Sequence, residues 1–421
     1  MRLYSSGGKR LANQHKSGHR GGKRLRSRRR LPRLLPIFLF LVCGGLLTAG
    51  VLHWAMGVQA APPDFPGETG SRQEAVALSE VQAAATETEP DLDDGKFLLS
   101  FAGDCTLGVE HASWGKSGTF PDVVGTDYTY PLSGVQSLFT QDDFTFVNLE
   151  CALTDHNVPA EKEFRFRGLP AYGQILKEGG VEAVSLANNH SLDYGKAGLE
   201  QTRQVLADLS IAAGGDKETF LYTTQRGLRV GVYTAYHIGK PEIQQAISSL
   251  REQGAQVIVA AFHMGTEGSY SPTAWQRELC RYAAECGAQI VYNSHPHVLQ
   301  PMERWGDSVI LYSMGNFCFG GNRNPSDKDT AVVQVSVEVG EDGMAEVTDV
   351  TAVPCCVSSR SDRNDYRPTP YAPDSKEAAR VESKLDGSYR APVKAPAQTP
   401  VQTGEAVPVS EHVQTAAQLE T

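Results

Sequence analysis

The sequence predicts an α/β protein with one large folded domain, residues 96–355. Apolar runs rich in β-branched residues recur along these roughly 260 residues, and segments with helical periodicity separate several of them. Such alternation is typical of a sheet covered by helices. A third observation concerns chemistry, because polar side chains follow five of the predicted strands at their ends.

The predicted strands are taken from apolar runs, and the last two should form an antiparallel addition to the sheet. They are Phe97–Ala102, Phe144–Val147, Ala183–Ala187, Arg229–Thr234, Gln256–Phe262, Gln289–Tyr292, Ser308–Tyr312, Ala331–Glu338 and Ala345–Val353. Helices are predicted over Lys196–Leu209 and Thr273–Cys286, where apolar residues recur every three or four positions.

The N-terminal region predicts a membrane anchor. Residues 1–33 hold twelve of the 39 Lys and Arg residues and no acid, so residues 34–421 carry 27 basic against 49 acidic residues, a net charge of −22. Residues 34–58 contain no charge and are long enough to span a bilayer. The basic segment should therefore stay cytoplasmic and the rest of this single-pass protein should lie outside the membrane. Because the basic residues directly precede the apolar segment, they are expected to set the membrane orientation, and no nucleic-acid partner is expected. A cleaved signal peptide ending near Val58-Gln59-Ala60 is the alternative.

Two flanking segments have the composition of disordered chain. Residues 59–95 are rich in Ala, Pro, Thr, Glu and Asp and predict a flexible acidic stalk. Residues 356–421 predict a disordered tail for the same reason. The eight cysteines lack C-x-x-C spacing, and seven lie outside the anchor, so mostly free and buried thiols are expected.

Groups that bind metals follow the strands. Asp104 and Glu150 supply carboxylates, Asn189 and His190 an amide and an imidazole, and three further imidazoles come from His263, His295 and His297. In open α/β sheets such strand ends build ligand sites. The mixture of oxygen and imidazole donors suits one or two divalent transition-metal ions.

The two histidines of His295-Pro296-His297 carry a conformational expectation. Proline biases His295 toward extended chain, in which residues two apart share a face. Both imidazoles should then point at one centre.

Each residue alone also has an ordinary structural interpretation. A Gly-Asp pair is most often a turn, Asn188-Asn189 suits left-handed turn positions, His263 fits a hydrogen-bonded core histidine, and Glu150 fits a helix N-terminus. The recurrence at five strand ends favours a shared site.

These motifs resemble the CapA family of poly-gamma-glutamate capsule biosynthesis proteins, a branch of the calcineurin-like metallophosphoesterase superfamily. The resemblance runs from about Phe97 to Phe319, and its motifs are Gly103-Asp104, Asn148-Leu149-Glu150, Ser185–His190 with Asp193–Gly195, His263–Glu267, His295–Gln300 and Tyr312–Phe317. It implies a β-sandwich of two sheets flanked by helices, with a metal centre between loops.

The resemblance also implies roles for single residues. Asp104, Glu150, Asn189, His263, His295 and His297 match metal ligands, with Glu150 at a bridging position, and His190 matches the histidine that protonates a leaving group. The ion would be Mn, Fe or Zn. Asn188 and Glu267 belong to the same motifs and are expected to bind substrate.

Two residues depart from the superfamily pattern. Thr106 stands where a histidine belongs in Asp-x-His, and Glu150 stands where an aspartate belongs. One tight and one weak metal site is therefore the expectation.

Arg165 and Arg167 alternate in the chain and are predicted to clamp a phosphate or carboxylate. Solvated charges on an edge strand are the alternative.

Three functions remain in competition. One is an anchored component of capsule or surface-polymer synthesis that binds or processes an anionic polymer beside other capsule-synthesis membrane proteins. Another is a metal-dependent phosphoesterase acting on a phosphorylated substrate of the cell envelope. A binding module that keeps the fold without the chemistry is the third.

Overall fold

Strands and helices alternate through residues 95–391, which are the residues that the computed structural model describes. The predicted basic segment 1–33, the anchor 34–58, nearly all of the stalk 59–95 and the tail beyond 391 lie outside them. Within residues 95–391, no helix combines the length and the apolar character that crossing a bilayer requires.

The strands and helices have the following bounds. The strands are β1 (Lys96–Thr106), β2 (Val109–Glu110), β3 (Phe144–Leu149), β4 (Ala152–Leu153), β5 (Phe166–Gly168), β6 (Ala183–Ser185), β7 (Ala212–Gly214), β8 (Glu218–Thr223), β9 (Arg229–Ala235), β10 (Val257–His263), β11 (Ile290–Ser294), β12 (Met302–Trp305), β13 (Ser308–Leu311), β14 (Asn316–Phe319), β15 (Asp329–Val339), β16 (Ala345–Cys356) and β17 (Thr369–Pro370). The α-helices are α1 (Phe120–Val124), α2 (Gln136–Phe139), α3 (Gly173–Gly179), α4 (Gly195–Asp208), α5 (Lys240–Glu252), α6 (Ala274–Glu285) and α7 (Lys376–Leu385), and short 3-10 helices cover His111–Ser113 and Pro170–Tyr172.

The strands form two large sheets and a small one. The first sheet has the order β17-β16-β15-β1-β3-β6-β7, with β14 also paired to β1. The second has the order β12-β13-β11-β10-β9-β8, and β2, β5 and β4 form the third. β15 runs antiparallel to both β1 and β16, which confirms the predicted antiparallel addition.

Alternation along the strands explains how the two large sheets pack. Phe97, Leu99 and Phe101 of β1 share a buried cluster with Val257 and Val259 of β10. Successive strand residues point to opposite faces, so the residues between them face outward, toward helices. α3 and α4 cover the first sheet, and α5 and α6 cover the second. Each fully buried Phe, Leu or Val stabilises the fold by about 1.5–3 kcal/mol relative to exposure.

Both predicted helices are present: α4 begins and ends one residue earlier than predicted, and α6 is one residue shorter at each end. α6 begins after Thr273, whose hydroxyl accepts a hydrogen bond from the Gln276 backbone while the Gln276 side chain bonds back to the Thr273 amide. This capping box satisfies two amides that the first turn leaves free. Leu279, Cys280 and Ala283 then place one face of the helix in the core.

The predicted C-terminal boundary at residue 355 is wrong for residues 356–391. β16 extends to Cys356, and α7 packs Val381 and Leu385 into the cluster between the sheets. Arg380 and Lys384 of the same helix form salt bridges with Asp329 at the start of β15. Packing and charge pairing therefore extend the folded part of the chain well beyond the predicted boundary.

The described cysteines are free thiols, as expected. Cys105, Cys151, Cys280, Cys318 and Cys355 are buried, whereas Cys286 and Cys356 are partly exposed. Burial raises the pKa of Cys105 to about 12, so this thiol stays protonated at neutral pH.

Candidate metal centre

The predicted ligands come together at one end of the two-sheet sandwich. β1, β3 and β6 are parallel to one another, and so are β10 and β11, so the carboxyl ends of each set lie at one edge. Asp104 and His263 lie inside strands, because β1 is longer than predicted and β10 lies one residue further along the chain.

Gly103 allows the backbone at Asp104 to pack directly against the Gly315 backbone. The Asp104 amide donates a hydrogen bond to the Gly315 carbonyl at 2.8 Å, so two backbone segments run very close together. A Cβ atom at position 103 would lie 2.0 Å from that carbonyl oxygen. Only glycine fits, which gives the Gly-Asp pair a structural cause.

The extended conformation predicted for His295 and His297 is wrong. Their φ angles are 99° and 58°, in the left-handed half of backbone space. Such conformations cost energy for residues with a side chain and persist where the surrounding structure imposes them. Both imidazoles nevertheless reach the cluster, so the predicted convergence is correct although its stated cause is not.

Short distances connect all six predicted ligands. His263 Nε2 lies 2.8 Å from Asn189 Oδ1, 3.1 Å from His295 Nδ1 and 3.5 Å from Glu150 Oε1. His297 Nδ1 lies 3.1 Å from Asp104 Oδ2, and its Nε2 lies 3.9 Å from Glu150 Oε1.

Two carboxylate oxygens of the cluster are buried without a hydrogen-bond donor. Asp104 Oδ2 and Glu150 Oε1 have none, although both residues are fully shielded from solvent. His297 Nδ1, which lies 3.1 Å from Asp104 Oδ2, also lies 2.9 Å from Asn316 Oδ1. Unsatisfied buried oxygens are costly, and a bound cation would satisfy them.

Residues outside the predicted set orient these ligands. Asn148 donates to Asp104 Oδ1 at 2.9 Å, and Ser294 Oγ lies 2.8 Å from His263 Nδ1. Asn316 Oδ1 lies 2.9 Å from His297 Nδ1. Ser294 thus holds one nitrogen of His263 and Asn316 one nitrogen of His297, which leaves Nε2 of both rings facing the cluster, the usual arrangement around metal-binding histidines.

Burial and mutual repulsion shift the acid–base properties of the cluster. Burial, reinforced by the Asp104 charge, raises the pKa of Glu150 well above its usual range. The pKa of His263 is lowered well below its usual range by burial and by the neighbouring imidazoles. Burial also acts to lower the pKa of His297, but Glu150 and Asp104 outweigh it and raise the value to about 10. Carboxylates that repel one another favour a divalent cation, and so does the imidazole of His263, which burial keeps neutral.

The donor atoms fall into two groups that share Glu150. One consists of Asp104, Glu150 and His263, and the other of Glu150, His295 and His297. The ligand atoms within each group lie within 4.8 Å of one another. The chemistry of these donors suits a divalent transition-metal ion, and Glu150 would contribute to either group.

His190 lies beside this cluster and forms an acid–base pair. Its Nδ1 lies 2.7 Å from Asp193 Oδ2, and both residues are buried. Lys162 contacts Asp193 Oδ1 at 2.6 Å and the Asn189 carbonyl at 2.7 Å. Phe166 closes the other side, with its ring 4.5 Å from the imidazole.

Asn188 and Glu267, both predicted to bind substrate, differ in their exposure to solvent. Asn188 is buried, donates to Asn148 Oδ1 at 3.0 Å and accepts from the His190 amide at 3.0 Å. It therefore positions the loop and is not available to substrate. Glu267 is exposed, and its charge acts to raise the pKa of His295 against the larger lowering effects of burial and His297.

Arg165 and Arg167 are bound to protein groups. Arg165 pairs with Glu110 at 3.3 Å, and Arg167 donates to the His156 carbonyl at 2.9 Å while stacking 4.4 Å above the Trp114 ring. Phe166 between them faces His190, so the two arginines lie on the opposite side of the chain. Within residues 95–391 neither forms a hydrogen bond or ion pair with the predicted ligands, and their role as an anion clamp remains a prediction.

Asn148, Asp193, Ser294, Asn316 and Lys162 were not assigned roles from the sequence. Four of them lie within or beside the motifs, at Asn148-Leu149-Glu150, Asp193-Tyr194-Gly195, Ser294-His295 and Gly315-Asn316, so proximity to a ligand was the available signal. Lys162 lies 27 residues before Asn189 and carried no such signal.

Comparison with solved structures gives only distant likenesses. A sulfate thiohydrolase SoxB from Thermus thermophilus matches with a TM-score of 0.37 and 12% identity, over 69% of this chain and 59% of that one. A purple acid phosphatase from yellow lupin matches with a TM-score of 0.30 and 12% identity, over 72% of this chain and 57% of that one. TM-scores this low do not establish a shared fold.

Sequence comparison is more informative. The chain is 28% identical to the PGA biosynthesis protein CapA of Bacillus subtilis over 296 residues, 63% of this chain and 74% of that protein. It is 28% identical to the capsule biosynthesis protein CapA of Bacillus anthracis over 274 residues, 58% of this chain and 64% of that protein. A probable polyglutamine synthesis accessory protein of Mycobacterium tuberculosis is 26% identical over 211 residues, which are 42% of this chain and 56% of that protein.

The family model described as bacterial capsule synthesis protein PGA_cap matches residues 98–321. This range covers more than half of the chain and includes Asp104, Glu150, the Asn189-His190 pair and the three other histidines of the centre. The chain belongs to the bacterial capsule synthesis protein PGA_cap family.

Proposed function

We propose that this chain takes part in the synthesis of a poly-gamma-glutamate capsule or a related surface polymer, and that it binds or processes the anionic polymer at a metal centre. The observation that carries the proposal is the pair of donor groups sharing Glu150, with buried oxygens on Asp104 and Glu150 that lack hydrogen-bond donors. The identity of the polymer in this proposal is taken from the names of the Bacillus relatives.

The residues that would hold the metal are Asp104, Glu150, Asn189, His263, His295 and His297, and the ion would be Mn, Fe or Zn. When bound, such an ion supplies positive charge that activates water and stabilises a developing oxyanion. Asn148, Ser294 and Asn316 keep the donor atoms aimed at it.

His190 would transfer the proton. Asp193 holds Nδ1, which leaves Nε2 to protonate a leaving group. Lys162 contacts the second oxygen of Asp193, which holds this carboxylate in place and keeps the imidazole oriented.

A second candidate function is a metal-dependent phosphoesterase acting on cell-envelope substrates. The His190–Asp193 pair favours it, because a positioned general acid has no purpose in a module that only binds. The two candidates share the centre and differ in the bond that is cleaved.

We also propose that the domain lies outside the cytoplasmic membrane behind a single anchor, residues 34–58, beside other membrane proteins of capsule synthesis. The support is the charge distribution of residues 1–58. A reporter enzyme that is active only outside the membrane, fused after Thr421, should be active in cells. Activity from a cytoplasmic reporter alone would contradict this placement.

The metal centre is tested by elemental analysis of the purified full chain. We expect one or two equivalents of Mn, Fe or Zn in the wild type and a large loss in His263→Ala and His295→Ala. Removing a direct ligand should weaken binding by more than the roughly 10–100-fold that results from changing a residue behind the ligands. His156→Ala is the matched control, because this exposed histidine lies outside the cluster. Equal metal content in the wild type and His295→Ala would reject the centre.

Activity then separates the two candidates. We expect His190→Ala to keep its metal and to lose roughly 10²–10⁴-fold in hydrolysis, the usual contribution of a general acid. The substrates are a γ-linked glutamate oligomer, followed by mass spectrometry, and a chromogenic phosphodiester. Cleavage of the oligomer supports polymer processing, and cleavage of the phosphodiester alone supports the phosphoesterase. Metal binding without either cleavage leaves polymer binding as the function.

A further inference from the structure

A cavity of about 610 Å³ lies between α7, the start of β15 and the loop of residues 358–361. None of the six predicted metal ligands lines it. Its floor carries Asp327 and Lys384, and its rim carries Ser326, Lys328 and Arg360. Neither the sequence motifs nor the proposed metal centre assigns it a role.

The floor of the cavity is rigid and balanced in charge. Lys384 is only 2% exposed, and its ammonium contacts Asp327 at 2.7 Å and Asp329 at 2.7 Å. Arg380 forms two bonds of 2.7 Å with Asp329. Two cations thus neutralise two carboxylates, and the floor has no charge left for a ligand.

The rim carries a cation without an acidic partner. The Lys328 ammonium contacts the Ser361 carbonyl at 3.0 Å, and among the described residues it forms no salt bridge. Arg360 is held by Asp362 at 2.9 Å. Glu377 in the first turn of α7 is the opposing charge at the rim. Lys328 therefore has donor capacity left for an anion, and the hydroxyl of exposed Ser326 adds another donor.

One loop connects the cavity with the metal centre. It runs from His263 in the centre to Tyr270, which lines the cavity and donates to Asp327 at 2.9 Å. The Gly268 amide bonds to the Pro296 carbonyl at 2.8 Å, which ties the loop to the His295–His297 segment. Eight residues span at most roughly 29 Å, so a chain of several units can reach both places.

We propose that this cavity binds a carboxylate of the polymer chain, through Lys328 and the rim hydroxyls, at a distance from the metal centre. The inference rests on the proposed function, because it takes the ligand to be an anionic chain. The cavity holds one part of the polymer while another part lies at the metal ligands. Such a second contact raises the affinity for long chains without changing the chemistry at the centre.

The test is binding of a γ-linked glutamate oligomer to the full chain, measured by calorimetry. We expect Lys328→Met to weaken binding by about 10–100-fold, the contribution of one charge-assisted hydrogen bond. Ser326→Asp places a negative charge at the exposed rim and should weaken binding as well. Lys116→Met is the matched control, because Lys116 is an exposed lysine outside the cavity, and it should bind like the wild type.

Two further measurements separate this inference from the proposed function. Metal content should be unchanged in Lys328→Met and Ser326→Asp, and the metal-deficient His295→Ala should retain the part of the binding that Lys328 provides. Equal oligomer affinity in the wild type and both rim variants would overturn the inference, and so would no binding by the wild type. Equal or tighter binding of inorganic polyphosphate would overturn its carboxylate specificity.

Discussion

Two clusters of buried carboxylates lie in the same domain, and their negative charge is compensated in different ways. The cluster around Asp329 contains its own cations, and every oxygen of Asp327 and Asp329 has a donor. The cluster around Glu150 contains imidazoles and amides in place of Lys and Arg, and leaves oxygens of Glu150 and Asp104 without donors. A closed cluster stabilises the fold, whereas an open one has coordination left for an ion.

The difference also appears in the backbone. His295 and His297 adopt positive φ angles in the open cluster. Asp329, Arg380 and Lys384 of the closed cluster lie in an ordinary strand and helix. Strained conformations concentrate where ligand geometry matters more than stability.

The largest expected effect comes from breaking the closed cluster. Lys384→Met should lower the free energy of unfolding by about 3–5 kcal/mol, because it leaves the Asp327 and Asp329 carboxylates without their shared cation. Urea denaturation at neutral pH measures this change. A loss below 1 kcal/mol would show that water compensates the two acids and that the cluster is not closed.

Lys240→Met is the matched control for that experiment. Lys240 also pairs with a carboxylate at 2.8 Å and lies 5.0 Å from a tyrosine ring, as Lys384 does, but its side chain is 45% exposed. Exposed ion pairs contribute little, so this variant should unfold like the wild type. A similar loss in both variants would mean that burial does not distinguish the two pairs.

A smaller effect is expected from filling the open cluster. At a free Mn concentration of 100 times the dissociation constant, the wild type should gain about 2.7 kcal/mol in unfolding free energy over the chelator-treated protein. Lys384→Met should gain the same increment, because the two clusters are separate, whereas His295→Ala should gain much less. Thermal or urea unfolding with and without metal measures it. An unchanged wild type would contradict the view of Glu150 and Asp104 as metal ligands.

The sequence predicted the site residues better than the shape that brings them together. Motifs at strand ends contain all six residues that the structure brings into one cluster, because polar groups interrupt an apolar pattern there. The backbone of His295 could not be predicted in the same way, since the preference before proline is overridden by contacts from distant segments. The Asn148, Ser294 and Asn316 contacts were missed for the same reason, because they depend on how strands are aligned.

The C-terminal helix shows the same limit. α7 has ten residues, and an isolated helix of that length is marginal in water. It is stabilised by Val381 and Leu385 in the core and by Asp329, which lies 51 residues before Arg380 and 55 before Lys384. Local composition does not report partners at that separation, so the segment was predicted to be disordered.

A third carboxylate pair, Asp142 and Glu182, is partly buried and forms no salt bridge among residues 95–391, and it sharpens the comparison. Burial raises the pKa of Asp142 to about 6 and that of Glu182 to about 7, where repulsion from Asp142 adds to the effect. Glu182 accepts the Thr145 amide at 2.8 Å, and one oxygen of Asp142 is buried without a donor. These raised pKa values mean that the two acids take up protons in the folded state at a higher pH than in the unfolded chain.

The pair should therefore make stability depend on pH. Because the pKa of Glu182 rises on folding from 4.5 to about 7, its favourable contribution is complete below pH 4 and is lost as the pH rises through 7. Glu182→Gln mimics the protonated acid and should raise the unfolding free energy by about 1–3 kcal/mol at pH 8, with no change at pH 4. Exposed Glu200→Gln is the control and should follow the wild type at both values. Urea denaturation at the two pH values decides the matter. A Glu182→Gln effect that is equal at pH 4 and pH 8 would show that the charge of this acid is compensated, which would place the pair with the closed cluster.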